Sequence, residues 1–268
     1  MNTEKFKGKG GVYSFARPSY PAALFERLTN EKIISKDTVA ADVGAGTGIF
    51  SAALCPYVKR VYAVEPNADM RNAGAEGAER TKSAVSKAVG GIGTDNSLFK
   101  EKILWKEGTA ENTLLSDKSV DLVTAAQAFH WFDRAAFKTE CRRILKNDGF
   151  AVLVWNNKDQ GSPIIKDCSA LFKELCPDFK GASNGFDFEG DAFDDFFESS
   201  PKMASFENHT LLDREHFIKR QLSSSFAPKS GDGTYERFVE GCEKIFEKYQ
   251  KNGRVIFPYT TVCYYGKI

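Results

Sequence analysis

An excess of charge of either sign is missing from this 268-residue chain: 37 Lys and Arg stand against 36 Asp and Glu, a formal net charge of +1. A broad nucleic-acid surface needs a basic excess, so no nucleic-acid partner is expected. No apolar run reaches the ~20 residues that span a bilayer, so no membrane partner is expected either. Met1-Asn2-Thr3-Glu4-Lys5 lacks the apolar stretch of a secretory signal. Six cysteines (Cys55, Cys141, Cys168, Cys176, Cys242 and Cys263) contain no C-x-x-C pair and no three-cysteine cluster. That spacing speaks against a zinc site and an iron–sulfur radical centre, so no metal is expected. Free thiols in a reducing cytoplasm are the expectation. Histidine is scarce, with His130, His209 and His216 the whole complement. No internal repeat is visible. What is present is 42% hydrophobic and 13% aromatic residues, enough for a packed core.

The stretch Val39-Ala-Ala-Asp-Val-Gly-Ala-Gly-Thr-Gly-Ile-Phe-Ser51 organises the rest. An apolar run ends in an acid, glycines follow at alternate positions, and a helical pattern begins. This reads as a buried parallel strand feeding a tight turn into a helix. Glycine lets the main chain turn sharply and lets a ligand lie against it. The dinucleotide fingerprint requires a Gly at the position of Ile49, so NAD is disfavoured. Arg60–Glu65 reads as a second strand ending in an acid about 20 residues beyond Gly44, which doubly wound folds place beside the glycine turn.

Further strands are expected at 38–43, 102–106, 119–125, 150–155, 204–211 and 255–265. Pro21 suits the start of a helix burying Leu24, Phe25 and Leu28. Thr47 is the expected N-cap of the helix after the glycines, and Pro66-Asn67 opens the next, which carries Met70. That helix is expected to end near Val89, with a loop to residue 100. Asp133 caps a helix with Phe137, Cys141, Ile144 and Leu145 on one face. Ser162-Pro163 starts another, with Ile164, Ile165, Cys168, Leu171, Phe172 and Leu175 buried. Residues 186–198, with Phe186, Phe188, Phe193, Phe196 and Phe197, read as a short amphipathic helix. Arg214–Leu222 and Tyr235–Tyr249 read as helices joined by a loop.

Several motifs carry a resemblance: Ala41-Asp-Val-Gly-Ala-Gly-Thr-Gly48, Val64-Glu65-Pro66, Gly108-Thr-Ala-Glu111, Ala125-Ala-Gln-Ala-Phe-His-Trp-Phe-Asp133 and Leu145-Lys-Asn-Asp-Gly149. Together they resemble the class I S-adenosylmethionine (SAM)-dependent methyltransferases of the small-molecule branch. The opening R-P-S-Y-P, the A-Q-A-F-H-W-F-D stretch and the late F-P-Y-T-T-V are similar to trans-aconitate methyltransferase-like proteins. The resemblance implies an α/β fold: a Rossmann-like, doubly wound, seven-stranded, mostly parallel sheet with its last strand antiparallel, plus helical lid elements. It implies a single domain over 1–268, with an arm and helix at 1–35, the core at 36–211, a helical lid insertion at 212–252 and the final strand at 253–268.

The same resemblance implies SAM as cofactor. Gly44, Ala45, Gly46 and Gly48 would border its methionine portion, with Asp42 behind. Glu65 would bind the ribose hydroxyls, and Pro66 and Met70 would pack on the adenine. Relatives carry Asp where this chain has Thr109, so the adenine edge falls to Thr109, Ala110 N–H or Glu111. Ala126 and Gln127 would meet the methionine end. The partner would be a small-molecule acceptor, with Tyr13, Arg17, Tyr20, His130 and Trp131 as candidate contacts. His130, at a strand end, reads either as a general base for a hydroxyl or amine, or as a packing residue. A carboxylate acceptor would need no base and would favour Arg17 or Arg220. RNA or protein methylation, and SAM binding without turnover, are the competing readings.

Overall fold

The computed structural model describes residues 18–76, 101–179, 181, 193, 195–224 and 226–268. In chain order the strands are β1 (Val39–Val43), β2 (Arg60–Val64), β3 (Ile103–Lys106), β4 (Val120–Ala126), β5 (Leu145–Lys158), β6 (Lys202–Glu207), β7 (Thr210–Leu212), β8 (Val255–Phe257) and β9 (Tyr259–Gly266). The helices are α1 (Ala22–Asn30), α2 (Ile49–Leu54), α3 (Ala68–Glu76), α4 (Arg134–Ile144), α5 (Pro163–Leu175), α6 (Arg214–Leu222) and α7 (Tyr235–Tyr249).

Seven strands form one sheet in the order β3-β2-β1-β4-β5-β9-β6. The pairs from β3 to β5 are parallel, whereas β9 runs antiparallel to both β5 and β6. The order reverses between β1 and β4, and such a reversal leaves a crevice at the carboxyl ends of the strands. The expected doubly wound sheet with an antiparallel last strand is therefore present.

Successive strand residues face opposite sides of the sheet, so two cores form. On one face Leu24, Phe25 and Leu28 of α1 and Phe50 and Leu54 of α2 cover Ala40, Val61, Leu122 and Val154. On the other, Phe137, Cys141 and Ile144 of α4 meet Val43, Val123 and Leu153, joined by Phe193, Phe196 and Phe197. A third cluster packs α5, α6 and α7 over β7 and β8, through Phe172, Phe217, Phe238 and Phe257.

Five local expectations change. Leu145, expected on the face of α4, is instead the first residue of β5. The strand expected at 204–211 is two strands, because the chain turns at Asn208 and β7 leaves the main sheet to pair with β8. The strand expected at 255–265 is likewise broken at Pro258, which has no N–H to donate to a ladder. Thr47 is not the cap of α2; Gly48, in the left-handed conformation, holds that position. Of the helix expected over 186–198, the described residues 195–199 form turns and bends, with Phe196 and Phe197 still buried. Phe186 and Phe188, and the helix end and loop expected through residue 100, lie outside the described residues.

Phe129 is fully buried and touches the rings of Phe132, Phe137, Trp155, Phe193 and Phe196. Phe129→Ala is expected to cost about 3–5 kcal/mol of unfolding free energy in a urea titration. A loss under about 1 kcal/mol would show that this cluster does not hold the second core.

Candidate active site

The turn leaving β1 is fixed by β2. Gly44 N–H and Ala45 N–H both donate to Val64 O, at 2.9 and 3.1 Å. Gly46 N–H donates to Glu65 Oε2 at 2.9 Å, and Asn67 N–H donates to Glu65 Oε1 at 3.0 Å. The acid ending the second strand therefore sits on the glycine turn. Asn67 also caps α3, its Oδ1 accepting from Met70 N–H at 3.1 Å.

The absent side chains of the glycines do different things. A Cβ on Gly44 would come within 2.7 Å of Ala128 Cβ, and one on Gly48 within 2.9 Å of the Trp105 ring. Those two positions make room for neighbouring side chains. A Cβ on Gly46 would meet nothing nearer than Met70 Sδ at 3.9 Å, so the open side of the turn lies over Gly46. Its φ of +58° is also one that residues with a side chain rarely adopt.

Two carboxylates lie at this turn. Asp42 is buried and accepts from Ser51 Oγ at 2.6 Å and Thr124 Oγ1 at 3.0 Å. Burial pushes its carboxyl up to about 6, with the neighbouring Glu65 charge adding to the rise. Burial also raises Glu65, against the pull of the Asn67 and Gly46 N–H groups. Such a pair favours a positively charged occupant.

The chain leaving β4 forms the facing wall. Gln127 is held at a φ of +58°, its N–H donating to Val154 O at 2.8 Å and its Nε2 to Asn156 O at 3.2 Å. Non-glycine residues in this region store strain and cluster at functional sites. Ala126 and Gln127 are half-buried, and Ala128 and Phe132 lie against Gly44. His130 is half-buried between them in sequence, on the short turn Phe129–Trp131, with Trp155 Nε1 donating to its Nδ1 at 3.5 Å. Trp131 is 44% exposed.

In the loop after β3, Thr109 closes a turn with Asn112 and Ala110 is buried. Glu111 Oε1 accepts from Asp133 N–H at 3.2 Å, tying that loop to the cap of α4. Pro66 is half-buried and Met70 buried beside Gly46.

The structure thus brings Asp42, Gly44, Ala45, Gly46, Gly48, Glu65, Pro66 and Met70 together, with Ala126 and Gln127 opposite. Tyr20 is only 5% exposed and stands edge-on to Phe50 at 4.8 Å, so its ring packs in the core. Tyr13 and Arg17 lie outside the described residues. Arg220 on α6 donates through Nε to Tyr259 Oη at 2.7 Å. The six cysteines are all buried, and burial pushes the Cys168 thiol up to about 12, far from a reactive thiolate.

Asn67 stands as expected at the start of α3, where it is the cap. Sequence reasoning missed Ser51, Thr124, Trp155 and Asn156. These act across the sheet, and nothing in their local sequence marks them. Asn156 is a hub: its Oδ1 accepts from Thr261 Oγ1 at 2.6 Å and Asn208 Nδ2 at 3.1 Å, while its Nδ2 donates to Ser19 O at 3.3 Å.

A family model described as a methyltransferase domain matches residues 41–153, from β1 through most of β5. An uncharacterised methyltransferase-like protein of Schizosaccharomyces pombe is 28% identical over 98% of this chain and 95% of its own length. An uncharacterised methyltransferase of Mycobacterium tuberculosis is 32% identical over 56% of this chain and 51% of its own. Among solved structures, a proposed type II methyltransferase from Anaeromyxobacter dehalogenans superposes with a TM-score of 0.61 at 19% identity, covering 94% of this chain and 97% of that one. The motifs above resemble those of the class I SAM-dependent methyltransferase superfamily, the domain match over residues 41–153 and the methyltransferase relatives agree with that, and the solved neighbour shares the fold. It is a methyltransferase, and enzymes of this superfamily use SAM.

Asp42 holds its proton more tightly folded (about 6) than at its ordinary value of 3.8. Its contribution to stability is therefore full below about pH 4 and lost as pH rises through about 6, an effect of about 3 kcal/mol. Urea denaturation of ligand-free protein and of Asp42→Asn across that window is expected to show the variant gaining on the parent as pH rises. A difference independent of pH would refute the assignment.

Proposed function

We propose that this chain binds SAM across the carboxyl ends of β1 and β4 and moves its methyl group to a small-molecule acceptor. The observation that carries this reading is the Glu65 carboxylate seated on Gly46 at the switch point of the sheet. In that seat Glu65 would hold the ribose hydroxyls, and Pro66 and Met70 would pack on the adenine. Thr109, Ala110 and Glu111 would border the adenine edge. Gly44, Ala45, Gly46 and Gly48 would line the methionine portion, with Asp42 behind and Ala126 and Gln127 opposite. The open space over Gly46 and the two neighbouring acids fit a cationic adenosyl ligand.

When bound, SAM supplies a methyl group already activated by its sulfonium. The chain's own task is to hold an acceptor in line and exclude water, and ordered placement supplies about 7–11 kcal/mol in favourable systems. No covalent nucleophile is needed, in keeping with buried cysteines. The near-zero net charge and the resemblance of A-Q-A-F-H-W-F-D and R-P-S-Y-P to trans-aconitate methyltransferase-like proteins support a small acceptor over RNA. The exposed Trp131 would border it. The arm and the helices α6 and α7 would act as a lid within one domain, in a cytoplasmic enzyme.

Glu65→Ala is expected to keep the parent's circular dichroism and to weaken SAM binding by about 2–4 kcal/mol in calorimetry, roughly 30- to 1000-fold, since hydrogen bonds to a charged group are lost. Near-parental affinity in the folded variant would show the ribose assignment to be misplaced.

A further inference from the structure

Trp155 lies on β5, its side chain buried among the residues under α4. Its indole N–H points at His130 Nδ1 from 3.5 Å. An indole nitrogen is a donor and never an acceptor. Nδ1 therefore presents its lone pair to Trp155, and the neutral imidazole carries its single proton on Nε2. A proton added at Nδ1 would set two donors face to face. The turn that holds the ring is itself fixed. Phe129 anchors it in the aromatic core, Ala128 and Phe132 rest against Gly44, and Gln127 is locked at its strained φ by bonds to β5.

We propose that Trp155 is a positioning residue that holds His130 as the Nε2–H tautomer. His130 then serves the acceptor as a hydrogen-bond donor, not as the base that removes its proton. The nitrogen that could accept a proton is taken by Trp155, and the other already carries one. The acceptor class that suits such a site is an oxyanion, which arrives with its attacking lone pair free. Its lone pair forms the new bond to the methyl carbon, the carbon–sulfur bond breaks with its pair left on sulfur, and no proton moves. A donor placed on the acceptor's oxygen orients it without having to change protonation state. The role in transfer rests on the function proposed above, whereas the tautomer does not depend on it.

Nitrogen NMR on the full-length protein labelled with 15N-histidine reads the tautomer directly. There are three histidines, and the signals lost in His130→Gln identify His130. The expected result is a protonated, pyrrole-type Nε2 and an unprotonated, pyridine-type Nδ1, with the single tautomer lost to averaging in folded Trp155→Phe. An Nδ1–H tautomer in the parent protein would overturn the proposal whether or not the Trp155 variant folds. So would a spectrum unchanged in a folded Trp155→Phe. Turnover tests the role separately. His130→Gln keeps an N–H near the Nε2 position and is expected to stay within about tenfold of the parent kcat, while His130→Ala falls by about a hundredfold or more. Equal loss in both variants, with a parental kcat/KM that follows one ionisation missing from both, would make His130 a base and sink the donor role. If the protein bound no SAM and the NMR result held, the methyl-transfer reading would fail and the Trp155–His130 assignment would stand.

Discussion

The bond between the Glu65 carboxylate and the Gly46 N–H ties the turn leaving β1 to the end of β2. It places a largely buried acid on the turn of the neighbouring strand, and that acid must be satisfied by groups already in reach. Gly46 and Asn67 supply main-chain N–H groups to the two oxygens. Asn67 is available because it is the cap of α3, so the helix start and the seat of the acid are one local structure. Arg71, one turn into α3, donates to Glu65 O at 2.7 Å and reaches Glu107 beyond β3 at 3.3 Å. The carboxyl ends of β1, β2 and β3 are thus tied in sequence around one residue, Glu65, through its carboxylate and its main-chain carbonyl.

A second carboxylate stands behind the first, and the two together set the field of the cleft. Asp42 is solvated by hydroxyls from two different elements, Ser51 on α2 and Thr124 on β4. Two hydroxyls do not replace bulk water around an ionised acid, and its carboxyl is pushed up to about 6 as a result. A positive charge arriving nearby lowers that cost. The binding of a cationic adenosyl ligand and the ionisation of Asp42 are therefore expected to be coupled, each favouring the other.

The parts of the fold that were legible in the sequence are those fixed by local patterns. The glycine turn, the acid after β2, the Asp133 cap and the apolar stripes of α1, α4, α5, α6 and α7 each follow from residues a few positions apart. The breaks at Asn208 and Pro258 were harder, because period-two alternation fixes which face a residue takes but not which sheet the strand joins. Pro258 was a signal that the β-branched run around it concealed. Gly48 displaced Thr47 as cap because the turn needs a left-handed residue there. The glycines were read as space for a ligand, yet Gly44 and Gly48 yield their space to Ala128 and Trp105. The partners of Asp42 and of His130 are contacts across the sheet, and no local signal encodes them.

The end of β5 holds a different segment on each face of the sheet for a reason that lies in strand geometry. Neighbouring residues on a strand point to opposite faces. Trp155 points to the face under α4, where its N–H meets His130. Asn156 points the other way, where it gathers Thr261, Asn208 and the carbonyl of Ser19. Asn208 adds a second bond to Ser19 O at 2.7 Å, so the segment entering α1 is clasped both from β5 and from the turn after β6. The backbone carbonyl of Asn156 also receives Gln127 Nε2, which ties the strained end of β4 to the same point. Two adjacent residues therefore fix the histidine turn on one side and the approach of the N-terminal segment on the other. A shift of β5 by one residue would exchange their faces and undo both at once.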